Sequence, residues 1–197
     1  MSRTARYFTA LVCLAFACTA ETSVSAGADT GVTGIIRVHG QPQKDVVVWL
    51  DDVPAKPSAH LPVVMDQRNL TFSPKVLAVR VGTSVNMPNN DRVFHNVFSF
   101  RDGKRFDLGL YPVGQSKVVT FDKPGVSRMF CNIHPNMAAY VVAVDSDFYA
   151  VSNAAGAFTM AAVPPGTYTY HAWRAGLDFV SGRVAVSGDG RMELMLP

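Results

Sequence analysis

Residues 118–137 read VVTFDKPGVSRMFCNIHPNM, and their reading decides the fold. SKVVTF, which begins at Ser116, predicts a strand, and Lys123-Pro124-Gly125 marks a turn after it. Cys131 ends a second strand. Tyr140 to Val144 form the next, after a tight loop holding Pro135. That loop places Cys131, His134 and Met137 three residues apart each. A second histidine, His95, stands upstream in NNDRVFHNVFSF (residues 89–100), where it opens the strand HNVFSF. Three close ligand types on one loop and one distant ligand would hold a metal against the rigid end of a β-sandwich.

One thiolate, two imidazoles and a thioether form the ligand set of a blue-copper site. Soft sulfur donors favour Cu(I), and imidazoles suit both copper states. A geometry between the two preferred ones needs little rearrangement when an electron arrives. Zinc is the chief competitor, because a thiolate and two imidazoles also suit it.

Outward from this stretch the chain continues as short β segments broken by Gly, Pro, Asn and Asp. GIIRV, DVVVWL, VLAVRV, AYVVAV, GAFTM, GTYTYHAW and RMELML all predict strands. No helical periodicity is sustained, so the fold class is all-β. The 197 residues are 48% hydrophobic and 17% charged, with 15 Gly and 12 Pro, which supports a packed core and excludes a disordered polyelectrolyte. The net charge of +3 carries no Lys/Arg run, which argues against nucleic acid as a partner.

The N-terminus reads as an address. Arg3 and Arg6 precede the apolar run YFTALVCLAFAC, and small residues lead to Val24-Ser25-Ala26, so residues 1–26 predict a secretory signal peptide. The run is short for a membrane span, and no later segment approaches spanning length. Cleavage after Ala26 would remove Cys13 and Cys18 and leave Cys131 alone. Lipid attachment at Cys18 is a poor match to its flanking residues. A periplasmic or secreted protein with a single thiol needs a reason to keep it, and metal ligation is one.

At the ligand residues the chain resembles the plastocyanin/amicyanin cupredoxins. Members show an N/D-x-x-P-H-N-V-x-F segment, a V-x-F-x-x-P-G turn, then C-x-x-H and a Met. The segment FSPKVLAVRVGTSVNMPNND (residues 72–91) is similar to their opening strands, and the likeness runs from Leu70 to Val144. The C-x-x-H-x-x-M spacing is similar to amicyanin. One departure is Phe94, where the family has Pro. The resemblance implies a cupredoxin Greek-key β-sandwich over residues 65–144. It implies one type 1 copper ion on His95, Cys131, His134 and Met137, with Met137 as the weak axial ligand. It further implies that the Asn96 backbone N–H donates to the thiolate sulfur, and that His134, beside Pro135, passes electrons through an apolar patch.

The C-terminal stretch has a different likeness. Asn153, Gly156 and Phe158, then Pro164, Pro165, Gly166 and Tyr168, resemble the D/N-x-x-G-x-F turn and P-P-G-x-Y strand of carboxypeptidase-regulatory or transthyretin-like modules. Thr33 to Val38 and Val46 to Leu50 supply the opening strands of such a module. The expectation is a second small β-sandwich, discontinuous over residues 31–53 and 148–197, with a proline-rich connector at 54–64. Two tandem domains or one larger sandwich are the competing arrangements.

These readings converge on an exported, non-enzymatic carrier of single electrons. Its partners would be protein redox partners, a donor and an acceptor such as a dehydrogenase and a cytochrome. The alternative is a periplasmic copper-handling protein, a chaperone or a store, using the same ligands. The 8 Met are dispersed rather than clustered, which disfavours it. A carbohydrate-contacting module with a vestigial site, and a multicopper enzyme, are further classes. The latter needs additional His clusters. His39, His60 and His171 read as solvated or hydrogen-bonded structural residues, and Asp51-Asp52, Asp145 and Asp147 as solvated turn residues.

Overall fold

The computed structural model describes residues 31–54, 62–100 and 102–196, and every regular element among them longer than a turn is a strand. Residues 1–30, which include the expected signal peptide, most of the expected proline connector with His60, Arg101 and Pro197 lie outside the described residues. The first segment forms β1 (Gly31–Val38), β2 (Gln41–Pro42) and β3 (Val47–Leu50). The middle forms β4 (Val63–Val64), β5 (Asp66–Arg68), β6 (Thr71–Ser73), β7 (Val76–Arg80), β8 (Thr83–Pro88), β9 (His95–Ser99), β10 (Phe106–Tyr111), β11 (Ser116–Phe121), β12 (Gly125–Phe130) and β13 (Ala138–Val144). The last forms β14 (Tyr149–Val151), β15 (Ala157–Ala162), β16 (Gly166–Trp173), β17 (Val180–Val186) and β18 (Arg191–Leu196).

The middle strands build a sheet ordered β10-β9-β12-β13-β7 and a second ordered β11-β8-β4. Val63 and Val64, read from sequence as connector, pair with β8 in that second sheet. Alternation along each strand sends one set of side chains inward. Met65, Val79, Val85, Met87, Val97, Phe121, Met129 and Val141 fill the core between the sheets, and Cys131 and Met137 close one end of it. Apolar packing therefore runs without a break into the ligand loop.

The first and last segments build two further sheets, β15-β1-β18 and β14-β3-β16-β17. Strand β1 pairs in parallel with the final strand β18, Thr33 opposite Arg191 through Val38 opposite Leu196. Their core draws on Val32, Ile36, Val48, Leu50, Phe158, Tyr168, Tyr170 and Leu194. Gly34 permits a close approach here: a Cβ at that position would lie 2.2 Å from the Met192 carbonyl oxygen and 2.4 Å from the Phe158 ring. A third apolar cluster joins the two sets of sheets, Val47 and Trp173 packing with Val76, Ala78, Val142 and Val144. Tyr140 tilts against Trp173 at 5.1 Å, and Arg80 Nε meets Asp147 Oδ1 at 2.7 Å.

Candidate metal centre

The site is assembled by two turns at one end of the middle sheets. Before β9, the side chain of Asn89 is fully buried. Its amide donates to the carbonyls of Val93 at 2.9 Å and Tyr111 at 3.2 Å, while its oxygen accepts from Asp91 N–H. An asparagine that bonds its own downstream backbone closes a turn in place of a backbone pair. Asp91 continues the pattern. Its carboxylate accepts from the N–H groups of Leu70 and Arg92 and meets His95 Nε2 at 3.0 Å. Desolvation pushes this carboxyl up, but the Leu70, Arg92 and His95 contacts outweigh it and hold its pKa down to about 2. Asp91 thus stays ionised through the working range and occupies Nε2 of His95, which turns Nδ1 toward the site.

The second turn follows β12. Cys131 N–H donates to the Met137 carbonyl at 3.3 Å, and Met137 N–H donates to the His134 carbonyl at 2.9 Å, which folds residues 131–137 into a tight loop. Phe130 pairs with Phe98 of β9, so Cys131 enters the loop beside the strand that starts at His95. Asn96 ties the pieces together through its side chain, donating to Asp107 Oδ1 at 2.7 Å and accepting from Asn132 N–H at 3.4 Å. Its observed role is this cross-link between β10 and the ligand loop.

The donor atoms converge. Cys131 Sγ lies 3.8 Å from His95 Nδ1 and 3.6 Å from His134 Nδ1, and the two Nδ1 atoms are 3.1 Å apart. Ligand atoms about 2.0–2.3 Å from a common ion stand about 3.1–3.8 Å apart at angles of about 100–120°. The three side chains are therefore spaced to share one ion without rearrangement. His95 is wholly buried, and Cys131 and Met137 are buried with it. His134 alone of the four is only half-buried; its chain neighbours Ile133 and Pro135 are exposed, as is Phe94, the chain neighbour of His95. Met137 sits in the core beneath the loop.

Of His95, Cys131, His134 and Met137, the structure brings the donor atoms of the first three together, while Met137 ends the same loop with its side chain in the core. Sequence reasoning missed Asp91 and Asn89. Their signal was an Asn-Asn-Asp turn four to six residues before a candidate ligand, a spacing that lets a carboxylate reach back to the imidazole. Among the other histidines, His171 is a hydrogen-bonded structural residue as expected. Two acidic residues read as solvated turn residues have side-chain partners: Asp51 Oδ2 meets His171 Nε2 at 2.6 Å, and Asp147 Oδ1 meets Arg80 Nε at 2.7 Å.

Residues 59–144 match the family model of copper binding proteins, plastocyanin/azurin family. The central segment is a copper-binding cupredoxin domain, with His95, Cys131 and His134 positioned as possible ligands. Among solved structures, the chain is similar to a purple cupredoxin from Nitrosopumilus maritimus, at 26% identity over 42% of this chain and 99% of that one, TM-score 0.39. It is similar to a reduced Cu(I) form of an amicyanin point mutant, at 24% identity over 47% and 96%, TM-score 0.40. A copper-containing nitrite reductase from Thermus scotoductus aligns at 28% identity over 48% of this chain but only 25% of its own, TM-score 0.41. No curated protein matches the chain.

Proposed function

We propose that the protein is an exported type 1 copper protein that carries single electrons between protein partners, with His95, Cys131, His134 and Met137 as the ligands. The observation that carries this reading is the preformed donor set, three atoms within 3.1–3.8 Å with only His134 approaching the surface. Copper bound there supplies a one-electron couple. The chain's contribution is to keep the ligands still and dry. Asp91 fixes the His95 ring, the 131–137 turn fixes Cys131 and His134, and the apolar core excludes water from the thiolate. Small rearrangement on electron gain follows from that rigidity. Ile133 and Pro135, next to His134 in the chain, and Phe94, next to His95, are exposed apolar residues suited to a small contact that forms and dissociates quickly.

The same reading treats the first and last segments as one discontinuous β-sandwich carrying the cupredoxin domain as an insertion. Parallel pairing of β1 with β18 and a shared core from both segments support it. The leader at residues 1–26 supports export. No helix among the described residues is long and apolar enough to cross a membrane. Protein-film voltammetry of the copper-loaded chain tests the carrier role. A reversible one-electron wave with fast exchange is expected. Slow, irreversible exchange with copper loss on reduction would move the function to copper handling.

A further inference from the structure

The outward face of the β14-β3-β16-β17 sheet changes character along its length. At one end Val47 and Trp173 are buried against the cupredoxin sheet. Toward the other, Trp49, Asp51, His171 and Phe179 face Pro124 and Asp145 across a cleft of about 360 Å³. None of these residues belongs to the candidate metal centre.

The cleft has built walls. Trp49 and His171 sit opposite each other on paired strands and stack at 5.2 Å with an interplanar angle of 20°. Phe179 meets Trp49 edge-on at 6.2 Å, and the residue is 59% exposed. His171 is held on its other side by Asp51. The lining therefore offers aromatic and aliphatic surface, Asp145, and Asp51 with its carboxylate paired to His171, and no lysine or arginine. Lys123 precedes Pro124 in sequence but is not part of the lining.

We propose that this cleft binds a small organic ammonium ion. An alkylated cation gains from aromatic faces and from carboxylates at once, and anions are repelled by both. The volume matches small-molecule sites, which favour junctions between structural units. An occupant would touch β12 and β13, the strands that flank the ligand loop, as well as β3 and β16. The proposal is independent of the electron-carrier reading.

The test uses the full chain with its copper reduced, titrated with tetramethylammonium chloride against sodium chloride at equal ionic strength. The two tryptophan indole N–H signals are followed by NMR, with Trp49→Phe assigning them. A saturable shift at Trp49, with little change at Trp173, is expected. Asp145→Asn, at an exposed position that leaves the fold intact, should weaken binding about threefold or more, as should Phe179→Ala. Tert-butanol, a neutral molecule of similar shape, and methyl glucoside should give no saturable shift. Absence of saturation with tetramethylammonium, equal binding of tert-butanol or of methyl glucoside, or unchanged affinity in Asp145→Asn would each overturn the proposal.

Discussion

Among the described residues, two histidine–aspartate pairs do different work. In the cupredoxin domain His95 Nε2 meets Asp91 at 3.0 Å, and in the outer sheets His171 Nε2 meets Asp51 at 2.6 Å. The first ring is wholly buried and turns Nδ1 to a thiol and a second imidazole. The second stacks on Trp49 with its side chain 30% exposed. The carboxylate alone does not make a metal centre. Convergence of soft sulfur with two imidazoles, on elements fixed by buried turns, does.

The comparison breaks most visibly at the thiol. Cys131→Ala should abolish the thiolate-to-copper absorption band completely, while His171→Ala should leave it untouched, as absorption spectra of the copper-loaded variants will show. Next in size is Gly34→Ala. Its Cβ would strike the Met192 carbonyl and the Phe158 ring, and overpacking there should cost about 3 kcal/mol or more in denaturant unfolding. The colour of the folded variant should persist, because the clash lies in the other core.

Smaller effects sharpen the contrast. Met137→Leu should keep copper and colour but raise the reduction potential: the three remaining ligands already include a soft thiolate that satisfies Cu(I), and the more highly charged Cu(II) loses more when a fourth donor gives way to an apolar alkyl group. Each tenfold change in that ratio is about 59 mV for one electron. Asp91→Asn should also raise the potential, by roughly 0.1 V or less, because it removes a negative charge near the oxidised site at an effective dielectric of about 20. The direction follows from the carboxyl's low pKa of about 2, which makes the substitution a charge change at any working pH. Asp51→Asn should not move the potential. Voltammetry of the three variants checks all three statements.

Much of the centre was legible because its chemistry is carried by rare residue types at short spacing. Cys131, His134 and Met137 stand on one loop, and His95 opens a strand whose start is marked by the preceding turn. Strands with clear ends were legible too: Ser116–Phe121, Gly166–Trp173 and Arg191–Leu196 have the bounds their patterns predict. One was hidden by a residue that usually breaks strands: Phe106–Tyr111 bulges near Gly109, which has positive φ. Asp51 was misread because its partner is 120 residues away, a separation no local pattern encodes. Asp91 was hidden for the opposite reason, since an acid in a turn reads as solvated until the fold buries it.

The central claim is that Cys131, His95 and His134 hold copper through a thiolate in a rigid, nearly dry site. Visible absorption and EPR spectra of the Cu(II)-loaded chain from Gly27 onward test it most directly. The account predicts an intense blue or green thiolate-to-copper band, narrow copper hyperfine splitting and reversible bleaching by reductant. A pale spectrum with ordinary tetragonal Cu(II) parameters, or no retained copper, would contradict it.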